Sequence, residues 1–440
     1  MSIERWFCEY AWLGELRADV VIEVERETIV AINPGVPAPV DAIRLSGMTI
    51  PGLANAHSHA FHRVLRGLTR PAAKGFWSWR DMMYEVAGRL EPDSYRRLAR
   101  AVYSEMMMAG ITAVGEFHYL HHQLDGSPYS DPNEMTAALA DAAGEAGIRL
   151  TLLDTLYLSS GFGQPVEGVQ RRFSDGSAER WIERVEGLNL GSAVRVGAAI
   201  HSVRAVDQKA AETITAWAKE NDVPLHFHLS EQEAENAACL EATGLTPSQF
   251  MFEVGALDTT STAVHATHLS DDDIALLGES GTFACLCPST ERELGDGIGP
   301  AHELRTAGVR LTLGSDSHAV IDLLEEARLV ELHDRLRTHI RGHHSAGDLL
   351  RAATADGMAS LGVNSGELRV GCLADFVAVT LASPRTAGIG DPLAAVVFAA
   401  TAADVTDVIV GGRHLVASRE HTRVGDVGQE LASVMSELTG

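Results

Sequence analysis

The sequence predicts an α/β protein: a (β/α)8 TIM-like barrel carrying a smaller β-sandwich domain formed by both termini. Two observations lead there. Eight short apolar runs recur through the middle of the chain, most of them ending in histidine or other polar residues and most separated by amphipathic stretches. The two ends, by contrast, read as strands joined by tight turns, with no helical period.

At the N-terminus, ADVVIEVERETIVAI has strand residues broken by polar turns. Near the C-terminus, ADFVAVTL and DVIVGGRHLV match it, the second turning on a Gly-Gly pair. These ends assign 1–49 plus 366–440 to the sandwich and leave 50–365 for the barrel. The barrel runs are, in order, TIPGLANAHSHA, ITAVGEFHY, IRLTLLDTLYL, AVRVGAAIHSV, VPLHFHLSE, TAVHATHLS, GTFACLCPS and VRLTLGSDS. Between them lie helices such as DSYRRLARAVYSEMMMAG and PNEMTAALADAAGEAG, each opening at or near a proline or capping residue and closing on glycine. Barrel enzymes place their chemistry at the C-terminal ends of the strands, where these histidines fall.

Composition narrows the function classes. The chain has 440 residues with 60 acidic against 35 basic, a net charge of −25. Bulk nucleic-acid binding needs clustered Lys and Arg and is not expected. An anionic substrate would need local positive charge set against that overall field. No apolar run approaches the length of a membrane span, and the first residues lack the basic flank and apolar core of a secretory leader. Five scattered cysteines fit a reduced, cytoplasmic protein. Cys285 and Cys287 alternate within GTFACLC and read as one face of a buried strand, not as a metal motif.

The chemistry-bearing residues sit at run ends. His57 and His59 are two apart, so on a strand both imidazoles point the same way, as two ligands of one ion require. His226 and His228 repeat the spacing in the fifth run, Glu231 follows just past it, and Asp316 closes the eighth. Histidine nitrogens with one carboxylate are a catalytic metal set that leaves a position open for water. A bridging lysine on the fourth strand would signal a second ion. The chain has three lysines, Lys74, Lys209 and Lys219, and none lies in AVRVGAAIHSV, so one ion is expected.

PGLANAHSHAF, HFHLSE and GSDS resemble the amidohydrolase superfamily, and within it the aminohydrolases. HSHAFHRVLRGLT, FWSWRDMMY, GEFHYLHHQLDG, HSVRAV, HFHLSEQ, VHATHLS and CPSTERELGDG look more specifically like the formimidoylglutamate deiminase family. That resemblance implies metal ligands His57, His59, His228 and Asp316 for one divalent ion, zinc by preference, with iron(II) acceptable to the same donors. It implies Glu231 as proton shuttle, with His265 beside the leaving group and Asp316 as a second proton acceptor. It implies substrate contacts from Arg80, Tyr119, His201 and Arg204, and from His62, where relatives often carry glutamine. His268 reads as structural. The implied substrate is a small dianionic amino-acid derivative, the implied assembly a homodimer. The rival is an aminohydrolase of a heteroaromatic ring amine such as guanine or a triazine, whose pocket should favour aromatic stacking over paired arginines.

Overall fold

The structure is a computed structural model that describes residues 3–68, 76–191 and 194–439. Eight parallel strands form the barrel: Leu53–Ser58, Ile111–His118, Arg149–Leu156, Val194–Ile200, Leu225–Leu229, Ser261–His265, Phe283–Leu286 and Leu311–Leu313. Each pairs with the next in sequence, and a parallel bridge from Ser58 to Asp316 joins the last to the first. Because helices cover the outside and side chains fill the inside, the first three strands are buried along almost their whole length.

Local signals set the helix ends. Ser177, Asp207, Thr246 and Ser270 each accept a hydrogen bond from a first-turn amide, satisfying donors that would otherwise be orphaned. Gly147, Gly244 and Gly281 end their helices in the left-handed conformation. The two helices read from sequence span Pro92–Met108 and Glu134–Ala146.

The termini share a second eight-stranded sheet. Its order is Glu420–His421, Arg413–Ala417, Val405–Val410, Phe376–Val379, Ile43–Pro51, Glu4–Trp12, Leu16–Glu25 and Thr28–Asn33. The edge strand returns toward residues 372–374, with the Ile29 amide donating to the Cys372 carbonyl at 2.9 Å, so the sheet curls round a core of its own. Strand alternation divides the two faces. Phe376 and Ala378 pack with Trp6, Cys8 and Ile22 in that core, whereas Val377 and Val379 join the main barrel core. Arg149 at the start of the third barrel strand clamps the buried carboxylate of Asp375, at 2.8 and 3.0 Å, and so ties the sheet to the barrel. The last helix, Val427–Thr439, lies against Pro92–Met108 on the barrel exterior.

One strand read from sequence divides in two. TIPGLANAHSHA supplies the end of Ile43–Pro51 in the terminal sheet and then the barrel strand Leu53–Ser58. The break is Gly52, where a Cβ would come within 2.2 Å of Thr112 Oγ1. Only glycine lets the backbone pass that close from one sheet to the other.

Among the described residues, no helix is long and apolar enough to cross a membrane.

Candidate active site

The first barrel strand ends in His57, Ser58 and His59, and the second strand fixes that turn. Glu116 accepts from Ser58 Oγ at 2.7 Å and from the Ala60 amide at 2.6 Å. Burial lifts its carboxyl to about 8 against those bonds. His59 Nδ1 lies 2.9 Å from the Phe117 carbonyl, and His228 Nδ1 lies 2.8 Å from the His201 carbonyl. A carbonyl can only accept, so both Nδ1 atoms carry the proton and both Nε2 atoms present a lone pair.

Those lone pairs converge. His57 Nε2 is 3.1 Å from His228 Nε2 and 3.3 Å from Asp316 Oδ1, and His59 Nε2 is 3.5 Å from the same oxygen. A tetrahedral ion with bonds of about 2.1 Å separates its ligands by about 3.4 Å, so the donor set fits one divalent metal. Burial, first of all, pushes His57, His59 and His228 well below the ordinary imidazole range and keeps them neutral, the form that binds metal. His226 shares the strand face but sits a layer deeper, its Nε2 donating to the Ser360 carbonyl at 3.0 Å. Lys209 and Lys219 lie on the helix Gln208–Glu220, away from the donors; Lys74 lies outside the described residues.

Opposite the donors stand Glu231 and His265. His265 Nε2 faces Glu231 Oε1 and Asp316 Oδ2, each at 3.9 Å. Burial raises Glu231 to about 7, with His265 pulling the other way. Burial opposes a charge on His265, but the surrounding carboxylates, Glu231 foremost, outweigh it and raise its pKa well above the usual range. The backbone is strained here: Ser230, His265, Ala266 and Asp316 have φ of 51°, 70°, 50° and 38°. Non-glycine residues held in the left-handed region cost about 1–3 kcal/mol each and persist where the surrounding fold enforces them.

One cavity gathers most of the residues singled out in the sequence. His59, His62, Arg80, Tyr119, His201, Arg204, His228, Glu231, His265 and Asp316 all line it, and His57 is wholly buried behind them. His62 Nε2 reaches the Tyr119 hydroxyl at 3.0 Å. His268 lies outside the lining and donates to the Asp296 carbonyl at 2.8 Å.

Other residues there were not singled out. Glu235 lies 3.4 Å from Arg204 Nε. Glu291 Oε1 lies 3.5 Å from His265 Nδ1. Burial beside Glu231 lifts Asp296 to about 8. Cys287, read as a strand residue, follows the strand end and comes near His265 and Asp316. The wall also holds Trp79, Tyr84, Tyr157 and Phe173, although only 6% of the chain is aromatic. An average over the chain cannot report such local enrichment. Glu291 was legible in CPSTERELGDG, where a carboxylate one helical turn past a strand end faces the barrel mouth. Glu235 carried no sequence signal, since Glu233 and Glu235 read as ordinary charges of a first helical turn.

A closed barrel with histidine and carboxylate donors at its C-terminal rim defines a metal-dependent hydrolase site. The sequence pattern of the amidohydrolase family matches residues 48–415, and the chain belongs to that family. It is 39% identical to the formimidoylglutamate deiminase of Pseudomonas aeruginosa, over 98% of this chain and 99% of that one. It is 28% identical to the 5-methylthioadenosine/S-adenosylhomocysteine deaminase of Natronomonas pharaonis, covering 93% and 91% of the two chains. The crystal structure of an amidohydrolase from Brucella melitensis superposes with a TM-score of 0.92 at 33% identity, over 99% of this chain and 100% of that one.

Proposed function

We propose that this hydrolase deiminates N-formimidoyl-L-glutamate, giving N-formyl-L-glutamate and ammonia, with one divalent ion, zinc by preference, held by His57, His59, His228 and Asp316. The observation that carries the reading is one pocket lined by Glu231 and His265, by His59, His228 and Asp316 of the proposed donor set, and by Arg80, Tyr119, His201 and Arg204. The likeness to the Pseudomonas enzyme along nearly the whole chain supports the same substrate.

When bound, the ion supplies the Lewis acidity that makes a water nucleophilic near neutral pH. Glu231, with a pKa raised to about 7, is poised to take a proton from that water as it attacks the formimidoyl carbon, and to return it to the departing nitrogen. Asp316 accepts the second proton and gives it up to the same nitrogen, which then carries both protons of the water. His265, on the same face, steadies the tetrahedral intermediate by hydrogen bonding. The carbon–nitrogen bond then breaks and ammonia leaves. Arg80 and Arg204 hold the glutamate carboxylates, and Tyr119, His201 and His62 position the chain between.

The aromatic wall favours a second reading, hydrolysis of a ring amine stacked on Tyr84 or Tyr157. An ammonia-release assay over formimidoyl amino acids, guanidines and ring amines separates the two. The proposal expects N-formimidoyl-L-glutamate to give the highest kcat/KM; equal turnover of guanine or of formimidoylglycine would defeat it.

A further inference from the structure

We infer that Glu291 is a positioning residue for His265, acting on the face of the ring turned away from the reacting centre. The inference rests on the reading of His265 as the group that faces the substrate. The two ring nitrogens are placed differently. Nε2 points to Glu231 and Asp316, and Nδ1 points to Glu291 Oε1 at 3.5 Å. Carboxylates therefore stand at both ends of one imidazole. Glu291 itself cannot wander: the same Oε1 accepts from the Cys287 amide at 2.8 Å, and only 4% of the residue is exposed. Its helix, Pro288–Leu294, begins immediately after the seventh barrel strand, so its first turn is anchored to the barrel wall.

The backbone shows why such an anchor is needed. His265 ends the sixth strand with φ of 70°, and Ala266 follows at 50°. That turn swings the ring across the barrel mouth, where His228 stacks on one side with centroids 5.5 Å apart. A carboxylate behind Nδ1 fixes the ring's rotation and keeps a proton on that nitrogen. Nε2 is then left to serve the substrate side. This is the logic by which an acid behind an imidazole fixes the ring's orientation. The contact is long for a hydrogen bond, as such contacts often are before substrate binds.

The test is a double-mutant cycle on the metal-loaded, full-length protein. Ammonia release by the wild type is measured first over the panel above, and the best substrate found, formimidoyl compound or ring amine, is used throughout. A wrong substrate assignment therefore leaves the cycle intact. Glu291→Gln keeps the shape and an acceptor oxygen but loses the charge; kcat should fall about tenfold with KM changed less than about twofold and bound metal unaltered. In a His265→Gln background the same change should lower kcat by less than about twofold, because the residue acts through the ring. Glu291→Asp, held to the same criteria, takes its place if Glu291→Gln does not fold. A readout independent of turnover is the 15N imidazole spectrum, in which the His265 Nδ1 resonance should move in the Glu291 variant while those of His59 and His228 stay. Wild-type kcat in Glu291→Gln, equal losses in both backgrounds, or an unmoved His265 resonance would each overturn the inference.

Discussion

Among the described residues, two clusters of buried histidine and carboxylate lie in this barrel, built from the same residue types, and they are not equivalent. At the strand ends, His57, His59 and Asp316 bring their donor atoms together. Behind the second and third strands, His118, His121 and Asp154 do the same. In the first cluster the Nε2 lone pairs face one another, and His265 Nε2 stands 3.9 Å from Asp316 Oδ2, beyond hydrogen-bond reach. In the second, Arg184 donates twice to Asp154, at 2.7 and 2.9 Å, and twice to Asp175, at 2.9 Å each. His122 Nε2 lies 3.0 Å from Asp175, His121 Nε2 3.0 Å from the Thr155 carbonyl, and His118 Nε2 3.1 Å from Thr136 Oγ1. Donor spacing alone therefore does not make a metal site. What decides is whether a guanidinium has already satisfied the carboxylates.

The largest effect expected from breaking this contrast is metal loss. Asp316→Asn or His57→Ala should strip the ion and reduce turnover below detection, while His121→Ala should leave metal content unchanged by elemental analysis. A full complement of metal in Asp316→Asn, or its loss in His121→Ala, would reverse the assignment of the two clusters. Next comes Glu231→Gln, expected to lower kcat by about 10²–10⁴-fold while metal and substrate stay bound. Retention of a tenth of wild-type kcat would exclude Glu231 as the shuttle.

The second cluster should answer in stability instead. Arg184→Leu strands two buried carboxylates and should destabilise the fold by about 3–5 kcal/mol in denaturant titration, with bound metal per folded molecule unchanged. The pH dependence has a definite sign. Burial would raise Asp154 and Asp175, but Arg184, with His122 for Asp175, outweighs it and holds both below their usual range. A depressed folded-state value contributes stability above the unfolded pKa of about 4, and that stability is lost as pH falls through the folded value. The gap between wild type and Arg184→Leu should therefore be full near neutrality and narrow on acidification. A gap independent of pH would mean that the arginine acts through packing alone.

The convergence of the candidate donors was legible in the sequence because strand periodicity converts spacing directly into direction: His57 and His59 must share a face, and Asp316 closes the strand that neighbours theirs. The barrel was legible for the same reason, as eight buried runs can hardly pack otherwise. Partnerships between residues remote in sequence were not. Glu116 holds the first strand's turn from 58 residues away, and Arg184 meets Asp154 across a helix and a loop. Nothing in GEFHYLHH separates its inward residues, Phe117 and Tyr119, from the outward Glu116, His118, His121 and His122 until Arg184 is seen to fill the space behind the histidines. Gly52 was hidden in another way, since it looked like any strand glycine until Thr112 was found against it.

The smallest expected effects lie at the pocket's two arginines, one of which already faces a protein carboxylate. Arg204 lies 3.4 Å from Glu235, while Arg80 lies over the Tyr84 ring at 5.5 Å. Arg80→Ala and Arg204→Ala should each lower kcat/KM at least tenfold toward N-formimidoyl-L-glutamate, because breaking a desolvated charge pair costs about 2–5 kcal/mol. Arg204→Ala alone is ambiguous, because it also leaves Glu235 buried without its partner. Glu235→Gln resolves this. If Arg204 serves the substrate, removing the competing carboxylate should leave KM unchanged or lower it. If Arg204 serves only Glu235, the loss should match that of Arg204→Ala. Formimidoylglycine, which lacks the second carboxylate, sharpens the point: its kcat/KM should be low in the wild type and fall little further in whichever arginine variant has lost the side-chain carboxylate's partner. A tenfold further fall in both variants would mean that neither arginine reads that carboxylate, and the specificity would then have to come from Tyr119, His201 and the aromatic wall.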